Sequence, residues 1–218
     1  MSRHVSVERE KQRAAEAAAE IVEDGMAVGL GTGSTVGYLL PALARRGLDL
    51  RCVATSPATE QAARELGMRV ESFAGVNALA RLDIAIDGAD QVGPSGWLVK
   101  GGGGAHTREK AVAAAADRFV VIVSSDKLVE RLAPPVPLEL LEFGLAGTLR
   151  RLEAVRLRDV PRSPDGGVIA DLVGPVDDPG SLAARLAAVP GVLDHGLFGP
   201  SLVSDVLVAR GGRVVRYR

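Results

Sequence analysis

A single cysteine, Cys52, is all the chain contains. No disulfide can close within it, and a reducing, cytoplasmic setting is the expectation. Cys52 falls in an expected strand, residues 51–54, which makes it a core residue before it is a nucleophile. No apolar stretch reaches the ~18–20 residues that span a bilayer, so no membrane association is expected. Residues 1–20 are polar and charged, without the apolar run of a secretory signal. A surplus of positive charge is missing too: the net charge is -1. Nothing here is suited to neutralising a phosphate backbone, so nucleic acid is not an expected partner. The three histidines, His4, His106 and His195, are too scattered for a metal triad, and no metal is expected.

The most informative shortage is lysine. Of 26 Lys and Arg residues only four are lysine (Lys11, Lys100, Lys110 and Lys127), leaving 22 arginines. A GC-rich genome accounts for arginine wherever a generic positive charge serves. A lysine that survives that bias marks a place where a compact ammonium is a different tool from a planar guanidinium. None of the four lies in the last 91 residues, which points to chemistry in the first 127.

What is present is a chain of 218 residues, 47% hydrophobic and 24% charged, enough for one large domain or two smaller ones. Helices are expected at 6–23, 36–46, 57–66 and 105–116, and strands at 26–30, 51–54, 68–72, 83–86 and 119–123, with 97–99 extending a neighbouring strand. This alternation calls for a parallel sheet with helices on both faces. Pro134, Pro135 and Pro137 then interrupt the chain. Beyond them a helix at 138–152, strands at 154–157 and 168–173, a helix at 181–189 and a strand at 192–196 make a small α+β unit. Residues 203–218 read as two strands around Gly211-Gly212 that return to the first domain. The expected domains are therefore 1–132 with 203–218, and 133–202.

Four stretches carry chemistry. Gly29-Leu30-Gly31-Thr32-Gly33-Ser34-Thr35 ends a strand and opens a helix. Such a turn gathers backbone N–H groups around an anion, with hydroxyls as further donors. A dinucleotide site does not fit, because the G-x-G-x-x-G spacing breaks at Ser34 and the next strand ends in Thr55-Ser56 instead of an acid. A single phosphate or a sugar phosphate fits better. The alternative is a tight turn with Ser34 as helix cap. Thr55-Ser56-Pro57-Ala58-Thr59 is explained by capping at Ser56. It matters because it would lie at the same carboxyl edge of the sheet.

Asp87-Gly88-Ala89-Asp90 places two carboxylates near one another at a strand end. Proton handling, a Mg²⁺ site and plain turn capping are all open to such a pair. Lys100, Gly101, Gly102, Gly103 and Gly104 lead into a helix carrying Glu109. Four glycines are costly to order, so that backbone is expected to be needed close to a ligand. Lys100 can polarise a carbonyl or stabilise an enediolate, and Glu109 can move a proton between adjacent carbons. A solvated loop lysine and an exposed helix face are the bland readings of the same residues.

Taken in order, GLGTGST (29–35), TSPAT (55–59), DGAD (87–90), KGGGGAHTREK (100–110) and SSDK (124–127) resemble ribose-5-phosphate isomerases of the A type. Weaker echoes are PVPLEL (135–140), GGVIAD (166–171) and PGVLDHGLFG (190–199). The resemblance implies an α/β protein with a Rossmann-like parallel-sheet domain and a smaller α+β, ferredoxin-like domain. It implies interconversion of D-ribose 5-phosphate and D-ribulose 5-phosphate through an enediolate, in the non-oxidative pentose phosphate pathway. No cofactor and no metal are implied, and the assembly is a homodimer or homotetramer. Glu109 matches the general base and Asp87 the carboxylate that assists ring opening. Asp90 and Lys100 match the groups that hold and polarise the O1/O2 region. Lys11, Thr32, Gly33, Ser34, Thr35, Gly101, Gly102, Gly103 and Lys127 match substrate contacts. Gln91 departs from the pattern, which has Glu there. The rivals are an amino-sugar phosphate deaminase, which needs a histidine base that only His106 offers, and a non-catalytic sugar-phosphate sensor.

Overall fold

The computed structural model describes residues 3–217. In chain order its elements are α1 (Arg3–Ala19), β1 (Ala27–Leu30), α2 (Val36–Arg46), β2 (Arg51–Ala54), α3 (Pro57–Glu65), β3 (Ile84–Asp87), β4 (Gln91–Val92), β5 (Leu98–Val99), α4 (His106–Ala115), β6 (Phe119–Ser124), β7 (Val136–Leu140), α5 (Leu145–Arg151), β8 (Val155–Leu157), β9 (Val168–Leu172), α6 (Pro179–Ala187), β10 (Val192–His195), β11 (Leu197–Phe198), β12 (Asp205–Arg210) and β13 (Arg213–Tyr217). They group into two compact units, 1–88 with 108–127 and 201–218, and 89–107 with 128–200.

The first unit is a six-stranded sheet in the order β13-β12-β6-β3-β1-β2, parallel throughout except for β13. β3 and β6 are buried at every position, the near-continuous apolar pattern of a strand covered on both faces. Fully buried Ala14, Ala15 and Ala18 of α1 join the core formed by Leu30, Ile86 and Ile122 of the strands. β2 lies on one side of β1 and β3 on the other, so the chain reverses direction across the sheet at β1. Open α/β sheets bind ligands at that kind of switch point, outside the carboxyl ends of the strands. The expected strand at 68–72 is reduced to one bridge, Val70 to Cys52. Cys52 faces the core, and burial, reinforced by Glu71, pushes its thiol up to about 12, which removes it as a nucleophile.

The second unit contains an antiparallel sheet in the order β10-β7-β9-β8, with α5 between β7 and β8 and α6 between β9 and β10. This β-α-β-β-α-β path is the ferredoxin-like arrangement. The helix expected from residue 138 does not form there. Val136–Leu140 is a strand buried at all positions and paired on both sides, and α5 starts only at Leu145. Pairing with two neighbours overrides the helix-forming leucines of this stretch. Residues 89–107 also group with this unit, although the sequence boundary at 133 leaves them with the first. The reason is that β5 pairs with β4 and β11 in a separate three-stranded sheet and does not join the parallel one.

Asp205 ties the end of the first unit together. It starts β12, is buried, and accepts hydrogen bonds from the guanidinium groups of Arg118 (2.9 Å) and Arg216. Burial alone would raise its pKa, but the hydrogen bonds and charges of the two arginines outweigh it and hold the carboxyl below its usual range. A depressed folded-state pKa stabilises the fold above the unfolded value of about 3.9 and loses that contribution as pH falls below it. Both arginines are partly exposed, so Asp205→Asn is expected to cost about 1–2 kcal/mol at pH 7. The gap from the parent should narrow below about pH 4. Denaturant unfolding of both proteins from pH 3 to pH 7 checks this, and a gap independent of pH contradicts it.

Candidate active site

Within the first unit, the carboxyl ends of β1 and β3 meet at Asp87. Its Oδ1 accepts hydrogen bonds from the backbone N–H of Thr32 (3.1 Å) and of Gly88 (2.7 Å), and the residue is buried. Gly31 N–H donates to Ile86 O at 3.0 Å, so the turn after β1 is stitched to the end of β3. A Cβ at Gly31 would run into the Asp87 carboxylate, which explains why that position is glycine. Gly33 needs its freedom for a different reason, a φ of 121°. Ser34 is exposed and Thr35 stands at the start of α2 without a side-chain cap bond. The capping alternative for the hydroxyls of this turn is therefore not realised.

The TSPAT stretch locks onto the same turn. Thr32 and Thr55 share a hydroxyl hydrogen bond of 2.7 Å, and Thr59 Oγ1 donates to Gly31 O at 2.9 Å. Ser56 caps α3 by accepting from Thr59 N–H, with Pro57 in the first helical position. Lys127 follows β6 at the same carboxyl edge, half-buried. Lys11 lies on α1, where Glu8 holds its ammonium at 2.7 Å and Tyr38 donates to the other oxygen of Glu8. That hydrogen bond to Glu8, helped by slight desolvation and by the Glu8 charge, raises the pKa of the Tyr38 hydroxyl. Sequence reasoning missed Glu10. Its carboxylate accepts from the N–H and hydroxyl of Ser125 (2.9 and 2.7 Å) and so fixes the turn that carries Lys127. One more acid in a charged helix gives no signal of this.

Glu109 is buried in the first turn of α4. A Cβ at Gly29 would strike Val112, so α4 crosses β1 there. Ala115 O, at the far end of α4, accepts from Leu82 N–H just before β3. The helix thus runs opposite to the strands, and Glu109, one turn before Val112 on the same face, lies toward the carboxyl edge.

Within the second unit, β4 and β5 pair with Gln91 opposite Val99, which sets Asp90 opposite Lys100 as the ladder runs on. Asp90 N–H donates to Val99 O at 2.8 Å, and Asp90 Oδ2 accepts from Gly102 N–H at 2.8 Å. Lys100 is only 2% exposed, with its ammonium 5.4 Å over the Phe198 ring. This is not a solvated loop lysine. Gly101 and Gly104 bound a tight turn that includes Gly102 and Gly103, closed by Gly104 N–H to Gly101 O at 3.0 Å. His106 is fully buried, and a Cβ on Gly101 would fall 2.6 Å from its Nδ1. Gln91 pairs with the backbone of Ala133, donating to its O and accepting from its N–H, both at 2.8 Å. Glutamate cannot make that pair, because it has no donor. Among the described residues no group of three His, Cys, Asp or Glu is placed to hold a metal ion.

The chain matches the family profile described as Ribose 5-phosphate isomerase A (phosphoriboisomerase A) over residues 51–212. It is 44% identical to Ribose-5-phosphate isomerase A of Caulobacter vibrioides, covering 97% of this chain and 99% of that protein. Its fold matches the crystal structure of ribose 5 phosphate isomerase A from Neisseria gonorrhoeae with a TM-score of 0.89 at 31% identity, over 96% of each chain. A D-ribose-5-phosphate isomerase solved in complex with phospho-erythronic acid also gives a TM-score of 0.89, at 33% identity, over 97% of this chain and 99% of that one. With a Rossmann-like sheet, a ferredoxin-like unit and this relatedness, the chain belongs to the ribose 5-phosphate isomerase A family.

Gly31→Ala tests the contact at the switch point. The added methyl must push the Asp87 carboxylate aside, at a cost of about 1–3 kcal/mol. The variant is expected to fold, to melt lower and to lose at least roughly tenfold in kcat, since small displacements in a site are costly. Calorimetry and steady-state kinetics check both. A normal kcat contradicts the placement of Asp87 in the reaction.

Proposed function

We propose that this chain is an aldose-ketose isomerase that interconverts D-ribose 5-phosphate and D-ribulose 5-phosphate, with no metal or cofactor. The observation that carries the reading is a buried Glu109 in the first turn of α4, directly after the Lys100–Gly104 run, in a member of this family. Asp87 assists opening of the sugar ring. Glu109 takes the proton from C2 of the open aldose, leaving an enediolate, and returns it to C1 while the hydroxyl proton of O2 passes to O1, which gives the ketose. Asp90 and Lys100 hold and polarise O1 and O2. A compact ammonium can sit at a developing oxyanion where a broad guanidinium cannot. Thr32, Gly33, Ser34, Thr35, Lys11 and Lys127 take the phosphate and hydroxyls, and Gly101, Gly102 and Gly103 give the substrate close access to backbone.

The deaminase alternative loses ground because the family profile and the curated relatives are ribose 5-phosphate isomerases of the A type. The same reading places the protein in the cytoplasm. No described helix is long and apolar enough to cross a membrane. It also makes the protein a homodimer or homotetramer. Exposed Leu141, Phe143 and Leu193 give an apolar surface for a second copy to cover.

The test is formation of ribulose 5-phosphate from ribose 5-phosphate in EDTA. Glu109→Gln is expected to lose at least roughly 10²-fold in kcat, the low end for a positioned acid–base group. Lys100→Arg is expected to fail as well. Near-normal turnover by Glu109→Gln removes it as the base, and a requirement for added metal overturns the metal-free mechanism.

A further inference from the structure

The glycine run after Lys100 belongs to the second unit, and one side chain there grips it from the carbonyl side. Arg158 Nη1 donates to Gly101 O at 3.1 Å and to Gly102 O at 3.0 Å. Its Nε and Nη2 donate to the two carboxylate oxygens of Asp171, at 3.0 and 2.6 Å. The two side chains are 17% and 7% exposed, so this is a shielded fork, unlike a surface pair. Arg158 follows β8 directly, and its own N–H donates to Ile169 O at 3.0 Å. The β8–β9 ladder therefore fixes the point from which the guanidinium reaches. Arg156, opposite Asp171 in that ladder, stays 3.9 Å away and largely exposed, and does not replace it.

The peptide joining Gly101 to Gly102 is thus held at both ends. Its C=O accepts from Arg158, and its N–H donates to Asp90. A cation on the carbonyl polarises the peptide and strengthens its N–H as a donor, because linked hydrogen bonds reinforce one another. We propose that Arg158, oriented by Asp171, is a positioning residue for the isomerisation. It sets the plane of the Gly101–Gly102 peptide and, through that peptide, the carboxylate of Asp90. The proposal rests on the role given to Asp90 above. It also gives the GGVIAD stretch a purpose beyond packing, since its last residue is Asp171. Lysine cannot substitute, because a point charge has no fork to serve two carbonyls and a carboxylate together.

Arg158→Ala, Arg158→Lys, Asp171→Asn and the Arg158→Ala/Asp171→Asn pair are to be measured for kcat and KM well below their melting temperatures. Amide hydrogen exchange over residues 101–104 is followed in the same proteins. Each variant is expected to lose at least roughly tenfold in kcat, within the range that a small misplacement costs, with KM changed less than about threefold. Exchange in the glycine run should quicken, and the pair should lose no more than its worse single member. Ethylguanidinium in solution should restore part of the kcat of Arg158→Ala. If the alanine variant does not fold, the lysine and Asp171 variants decide. Unchanged kcat in a folded Arg158 variant, a loss confined to KM, or losses that add in the pair overturn the proposal. Asp90→Asn, assayed alongside, separates the failures. Normal turnover there removes Asp90 from the reaction and the positioning role with it. Normal turnover in Arg158→Ala beside an impaired Asp90→Asn overturns the positioning role alone.

Discussion

The Asp87 carboxylate, pressed against the backbone where β1 ends, is the contact on which the first unit's site depends. A buried carboxylate must be hydrogen-bonded, and here the donors are the N–H groups of Thr32 and Gly88. That demand brings the β1 turn so close that only glycine fits at position 31. Once the turn is pinned, Thr32 meets Thr55 and Thr59 closes over Gly31 O. A single constraint, one strand end against another at the switch point, thereby arranges three separate stretches of chain around the carboxyl edge.

The charged residues divide by chemistry. Arginine does the structural work in which a planar fork is useful: Arg118 and Arg216 on Asp205, and Arg158 on Asp171 and two carbonyls. Lysine is kept where a single compact charge is wanted, as at Lys100, buried with its ammonium over the Phe198 ring. Glu8 holds the ammonium of Lys11, and Glu10 fixes the turn that carries Lys127. The residues proposed for the reaction are thus accompanied by a second set of acids, Glu8, Glu10 and Asp171, that hydrogen-bond to side chains and backbone beside them, the support a precise site requires.

Much of this was legible in the sequence. Strand and helix periodicity placed β1, β2, β3 and β6 within a residue or two, because buried parallel strands are written as short continuous apolar runs. Ser56 and Pro57 announced the start of α3 through capping chemistry that is entirely local. What the sequence hid is non-local. Val136–Leu140 becomes a strand only because β9 and β10 flank it, and nothing in Pro-Leu-Glu-Leu encodes those neighbours. Residues 68–72 fail as a strand because a single bridge to Cys52 is all the edge provides. Glu10 and Arg158 were invisible for a similar reason. One is an ordinary acid in a charged helix, the other one arginine among many, and each gains its meaning from a backbone group far away in the chain. Gln91, which broke the family pattern, makes a donor–acceptor pair with the backbone of Ala133.

The central claim is a proton carried between adjacent carbons by Glu109 on a metal-free enzyme. The most direct measurement is deuterium uptake from D₂O, followed by NMR on ribose 5-phosphate with EDTA present. The account predicts deuterium at C2 of the recovered aldose and at C1 of the ketose with the parent protein, and neither above background with Glu109→Gln. Uptake by Glu109→Gln at the parent's rate would contradict it.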